Sequence, residues 1–146
     1  MIFGKNTSQY ASFEKTYDAD GKVWIEAVAH GTLTAKTPYQ VYINEYGPVT
    51  AALADAINYA YIGVPAVAYS SGDIAKLQIG GVCEDMISSS LTVAVGNAFS
   101  ILNGAVADAA VDFTGLGGQF AACISPASAS TTHDVMLIPE RIIGTT

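Results

Sequence analysis

Ile74-Ala75-Lys76-Leu77-Gln78-Ile79-Gly80-Gly81-Val82-Cys83-Glu84-Asp85-Met86-Ile87 is the stretch whose reading decides the fold. Ile74 to Ile79 is a short apolar-rich run that stops at Gly80-Gly81, and Val82 to Ile87 is a second run that stops at Ser88-Ser89-Ser90. Runs of this length bounded by glycine and serine are too short for helices and suit strands, so the segment predicts two strands separated by a glycine pair. The same grammar holds upstream. Val64 to Tyr69 ends at the turn residues Ser70-Ser71-Gly72-Asp73, and Asp20-Gly21 precedes Lys22 to Val28, which His30-Gly31 closes. Leu33 to Lys36 follows, and from Tyr39 to Tyr46 the residues Tyr39, Val41, Ile43 and Glu45 alternate with Gln40, Tyr42, Asn44 and Tyr46. That period of two belongs to a strand, whose successive side chains point to opposite faces.

Downstream, Leu91 to Val95 and Ala98 to Leu102 flank Gly96-Asn97, which predicts a hairpin whose turn opens with glycine, the type II′ arrangement. Asn103-Gly104 predicts another turn, Gly115 to Gly118 a loop before Gln119 to Ile124, and Ser125 to Thr132 a further loop. Asp134 to Ile138 reads as the closing strand, stopped by Pro139. Short strands spaced about 8–12 residues apart predict an all-β fold, a small β-barrel or sandwich. Val49 to Tyr61 reads two ways, because Val49, Leu53, Ala56, Ile57 and Ala60 fall at helical spacing behind Pro48 while Ile57 to Ile62 suits a strand. The expectation is one short helix or irregular segment to about Asp55, then strand. Met1 to Lys22 mixes charges with isolated aromatics in no lasting period. It reads as an extended N-terminal arm (1–22) leading into a single β domain (23–146), with Phe3, Tyr10 and Phe13 as candidate contacts to a neighbouring subunit or partner.

Composition narrows the function. Charged residues make up only 13% of the 146, against a usual value of about 25%. The exterior must therefore be rich in Ala, Gly, Ser, Thr, Asn and Tyr, a surface that sheds little ionic hydration when it meets a partner. Net charge is -7, and no basic residue occurs between Lys76 and Arg141 while Glu84, Asp85, Asp108, Asp112, Asp134 and Glu140 do. Nucleic acid, whose phosphates demand clustered Lys and Arg, is not an expected partner. Met1 to Tyr10 lacks the apolar core of a signal peptide, and the most apolar stretch, Pro48 to Tyr69, is interrupted by Asp55, Asn58 and Pro65. Neither membrane insertion nor export is expected, and synthesis and folding in a cytoplasm are. Cys83 and Cys123 sit among small and apolar neighbours and read as buried free thiols.

Catalytic and metal-binding patterns are sparse. The chain has two histidines, His30 beside Gly31 and His133 before the closing strand, and no Gly-x-Ser-x-Gly elbow. No close Cys/His cluster suits zinc. Asp18-Ala19-Asp20-Gly21 resembles the start of a calcium loop without its later ligands. Adjacent Glu84 and Asp85 would face opposite ways on a regular strand. A non-enzymatic role without cofactor or metal is the expectation. Tyr39, Tyr42, Tyr46, Tyr59, Tyr61 and Tyr69 cluster in the middle of the chain and offer a second reading, a carbohydrate- or receptor-binding β module that stacks sugars on tyrosine.

From about Ile62 to Ile143, a little over half the chain, a glycine-punctuated pattern runs through Ile62-Gly63-Val64, Ser71-Gly72-Asp73, Leu77-Gln78-Ile79-Gly80-Gly81-Val82 and Val95-Gly96-Asn97-Ala98-Phe99. It continues through Gly118-Gln119-Phe120-Ala121 to Val135-Met136-Leu137-Ile138. This resembles the small capsid decoration, or cement, proteins of tailed bacteriophages. The N-terminal part, Met1 to Tyr46, is longer than in the minimal members of that family. The resemblance implies a compact β-barrel on the capsid exterior, bound to the major capsid protein, often as a homotrimer, with no catalytic residues to carry over.

Overall fold

The computed structural model describes residues 14–45, 47–53, 61–88, 93–102, 105–108, 120–125 and 131–139. Among them the chain forms β1 (Thr16–Tyr17), β2 (Val23–Val28), β3 (Tyr39–Asn44), β4 (Gly47–Ala51), β5 (Tyr61–Pro65) and β6 (Ile74–Ile87). The later strands are β7 (Ala98–Leu102), β8 (Ala105–Asp108), β9 (Ala121–Cys123) and β10 (Thr132–Leu137), and the described residues contain no helix. The strands hydrogen-bond in the order β1-β2-β4-β3-β5-β6-β10-β9-β7-β8, and β2 also pairs with β6. That extra pairing closes β2, β4, β3, β5 and β6 into a five-stranded barrel; β10, β9, β7 and β8 continue as a sheet from the far half of β6, and β1 adds to β2. The all-β expectation holds, as a barrel with added strands.

The two runs expected on either side of Gly80-Gly81 are one strand of 14 residues. Its first half, Ile74 to Gly80, pairs antiparallel with β2, and its second half, Gly81 to Ile87, pairs antiparallel with β10. The glycines bend the strand rather than end it. Gly81 has φ +83°, and a Cβ there would lie 2.7 Å from the Gly21 carbonyl oxygen and 2.9 Å from the Lys22 Cα. Only glycine combines that conformation with so close an approach. The register gains a residue at the same place, since Trp24 pairs with Gln78 but Val23 with Gly80. Gln78, buried, donates its Nε2 to the Gly80 carbonyl at 3.0 Å and to the Val82 carbonyl at 2.8 Å. It supplies partners to carbonyls that the bend displaces from the ladder, where an unsatisfied buried group is costly.

The bend lets β6 serve two cores. Ala75, Leu77 and Ile79 fill the barrel with Val23, Ile25, Ala27, Leu33 and Val41. Cys83 and Met86 face a second cluster with Phe99, Phe120, Val135 and Leu137. Strand β5 is the wall between the two cores. Its Ile62 and Val64 belong to the second cluster, while a Cβ on Gly63 would lie 2.8 Å from Leu77 Cβ on the barrel side. This explains why Ile62 to Pro65 is buried without alternation.

Other expectations change too. Pro48 to Ala51 is strand, not the start of a helix: β4 pairs along its whole length with β3, including Val41↔Thr50 and Tyr42↔Val49. Burial of Gly47 to Thr50 on both faces left the apolar spacing without a period to read. Residues 54–60, the rest of that reading, lie outside the described residues. Leu33 to Lys36 is not a strand; Leu33 makes an isolated bridge to Tyr69 and the chain then turns, with Lys36 at φ 64°. Val95-Gly96, not Gly96-Asn97, forms the centre of the turn before β7. Asn97 N–H donates to the Ala94 carbonyl at 3.1 Å with Gly96 at φ 87°, which places glycine second as in a type II turn. Strand β7 pairs with β8 and β9, while Leu91, Thr92 and the turn expected at Asn103-Gly104 lie outside the described residues.

Thr16 and Tyr17, counted with the arm in the sequence, pair with Trp24 and Val23. The Asp18 carboxylate organises the connecting turn, accepting from the backbone N–H of Asp20 at 3.0 Å and Lys22 at 2.9 Å and from the Trp24 indole at 3.1 Å. Barrel closure between β2 and β4 is parallel at Val28↔Val49, and buried Thr50 adds to it by accepting the His30 N–H at 3.0 Å.

Gly81→Ala should lower stability in urea unfolding by more than Gly72→Ala. Both glycines have positive φ, but nothing lies within 4 Å of a Cβ at position 72. The conformational cost alone is about 1–3 kcal/mol at either site, and the backbone overlap at Gly81 adds to it.

Candidate interaction surface

Phe3, Tyr10 and Phe13, the contact residues expected from the sequence, lie outside the described residues. The surface that the described residues offer is carried by the sheet beyond the barrel. Register aligns Val82 of β6, Met136 of β10, Ala122 of β9 and Ala98 of β7 in one row across four strands. Their sequence neighbours Cys83, Val135, Leu137, Ala121, Cys123 and Phe99 are buried on the opposite face, so this row points outward. Met136 itself is 39% exposed, and exposed aliphatic residues flank the row: Ile138 is 40% exposed, Ile124 41%, and Val95 on the adjoining turn 58%. The turn is held against β9 by Gly96 N–H donating to the Cys123 carbonyl at 2.8 Å.

One step along the strands the face becomes acidic. Between Cys83↔Val135 and Met86↔His133, β6 has one residue more than β10. Asp85 sits in this bulge at φ 56°, and its N–H donates to Asp134 Oδ1 at 3.1 Å. Glu84 and Asp85 are both exposed, so the expectation that they face opposite ways fails because the bulge breaks alternation. Sequence reasoning missed this row, since register across strands far apart in the chain assembles it. The signal that could have found part of it is the absence of any Lys or Arg from residue 77 to 140.

The barrel exterior is chemically different. Lys76 Nζ lies 4.8 Å from the centroid of the Trp24 ring, whose indole N–H is held by Asp18, and Lys15 Nζ lies 5.4 Å from the Tyr61 ring centroid. The tyrosines proposed as a stacking platform are partly committed to the fold. Tyr39, Tyr61 and Tyr69 pack against the barrel core. The Tyr39 hydroxyl accepts the Thr34 N–H at 2.8 Å, and the Tyr69 hydroxyl accepts the Lys76 N–H at 3.2 Å. Tyr46 and Tyr59 lie outside the described residues.

The histidines are separated by their surroundings. His30 is exposed on the loop after β2. His133 lies inside β10 rather than before it, buried, with its ring 5.4 Å from that of Phe99 at a 47° tilt. Among the described residues, no three of His, Cys, Asp and Glu come together as a metal site. Cys83 and Cys123 are buried free thiols, as expected. Both pair with Val135, one on each side. Two strand spacings place them about 10 Å apart, beyond the ~7 Å limit for a disulfide. No family model matches the chain, and a search of curated proteins finds no relative.

Burial is the main cause that pushes the Cys83 thiol above its ordinary value of 9.0. The folded chain therefore holds that proton longer than the unfolded chain, and the thiol's contribution to stability is lost as pH rises past 9.0. At pH 8 an aromatic disulfide reagent should modify both cysteines only as fast as the chain opens, with addition of urea restoring full reactivity. The hydrogen bond from Trp24, foremost, holds Asp18 below its ordinary value of 3.8. Trp24 is the one tryptophan in the sequence. An acid titration of its fluorescence should show a midpoint under that value, and Asp18→Asn should abolish the transition.

Proposed function

We propose that the chain is a capsid decoration protein that binds the major capsid protein on the outside of an assembled phage head, as a homotrimer, and stabilises it without chemistry. The observation that carries this reading is the exterior: a surface with few charges that exposes large apolar side chains on both parts of the fold. Tyr17 is 71% exposed and Val67 55% on the barrel side, and Val95 is 58% exposed on the added sheet. Scattered apolar contacts of this kind suit a molecule touching several neighbours at once, where many weak contacts repeated over a lattice give avidity. The glycine pattern from Ile62 to Ile138 adds the family resemblance, and the barrel agrees with the fold that resemblance implies. Strand β1 is exposed, and Phe3, Tyr10 and Phe13, outside the described residues, enter this reading as the contacts expected from the sequence.

The test mixes the purified chain with heads assembled from the major capsid protein of its own phage. Co-sedimentation should saturate at a fixed number of copies per head, and light scattering of the free chain should give three times 15.1 kDa. Removal of Met1 to Lys15 should lower occupancy severalfold if the arm supplies contacts. A chain that stays in the supernatant at every concentration has no decoration role.

A further inference from the structure

We propose that the outward face of β6, β10, β9 and β7 docks a basic, aliphatic segment of a partner protein. The inference names the chemistry of a partner on one face and does not depend on that partner being a shell. The apolar half of the site is the row Val82, Met136, Ala122 and Ala98, widened by Ile138 and Ile124. The row spans four strands, about 14 Å at the usual strand spacing, which matches the reach of a few extended residues. Small alanines at two of its four positions leave it shallow on the β9–β7 side and raised at Met136, whose unbranched side chain adapts to different partner shapes.

The charge is what selects the occupant. Glu84, Asp85 and Asp134 border the row, and the sequence supplies no Lys or Arg from residue 77 to 140. Six acids and no Lys or Arg lie in that span, whereas residues 1–76 hold seven acids and five lysines. Of those six, Glu84, Asp85 and Asp134 lie at this face, and their shared sign attracts a cationic partner. A second copy placed face to face would juxtapose like charges, and phosphate-bearing surfaces would be repelled. A partner segment with Lys or Arg beside aliphatic side chains satisfies both halves of the face.

The test titrates the ¹⁵N-labelled full chain with an eight-residue peptide alternating Lys and Val, and separately with one alternating Glu and Val. The Lys peptide should shift amides at Val82, Glu84, Ala122, Ile124 and Met136 and leave the barrel strands β3 and β4 unmoved, while the Glu peptide should shift none of them. Glu84→Gln with Asp134→Asn should weaken binding by about threefold to tenfold, as expected for two exposed charge contacts. Raising salt from 50 to 500 mM should do the same. Met136→Ser, at an exposed position that leaves the fold intact, should weaken binding at every salt concentration. No shift with the Lys peptide, equal shifts with the Glu peptide, or binding unchanged in these variants overturns the proposal. Occupancy of phage heads is read in a separate experiment, so failure here leaves the decoration reading to its own test.

Discussion

The bend of β6 at Gly80-Gly81 is the constraint on which the rest of the molecule depends. A strand can close a small barrel or extend a neighbouring sheet, and here one strand does both because its direction changes where two backbones touch. The contact is between Gly81 and the Gly21–Lys22 turn, at a separation that leaves no room for a Cβ. Gln78 completes it by giving hydrogen bonds to two carbonyls of the bend from a buried position. The same few residues therefore fix the register of β2 against β6, the path of the chain entering β2, and the start of the pairing with β10. A local unfolding of this bend would uncouple the two cores, since few other described segments contribute to both.

Strand β5 is the second joint. It presents Gly63 to Leu77 inside the barrel and Ile62 and Val64 to the neighbouring cluster, so one short strand is covered on both faces. Two modest cores that share walls bury more apolar surface than either could alone, which matters for a chain of this size with no disulfide between its cysteines. The cost of the arrangement falls on composition: residues buried on both faces must be small or aliphatic, leaving few positions for charge. The low charged fraction of the chain is thus partly a consequence of its architecture, and partly a property of the surface that the added sheet presents.

That surface is organised by bulges. Alternation along β10 sends Val135 and Leu137 inward and Met136 and Ile138 outward. On β6 the bulge at Asp85 interrupts the alternation and brings Glu84, Asp85 and Asp134 to one side of an aliphatic row. An apolar centre with an acidic border is the anatomy of a protein-contact surface, in which the apolar part supplies affinity and the border selects partners and orients their approach. The barrel exterior, with Lys76 on Trp24 and Lys15 on Tyr61, carries both signs and is chemically distinct from it.

The sequence by itself determined that this is an all-β chain, that it turns at Asp20-Gly21, His30-Gly31 and Ser70 to Asp73, that its cysteines are buried thiols and that its acids outnumber its lysines and arginines toward the C-terminal half. These are local properties: turn residues and strand formers act through neighbouring backbone angles, and charge is additive. Only the tertiary structure decided that Gly80-Gly81 bends one strand instead of parting two, because that depends on the Gly21 backbone nearly sixty residues away. It likewise decided that Pro48 to Ala51 is a strand, since burial on both faces erases the periodicity from which helix and strand are told apart. The apolar row with its acidic border was illegible for the same reason. Its members come from four strands, and register between distant strands is set by bulges and close backbone contacts that no linear spacing encodes.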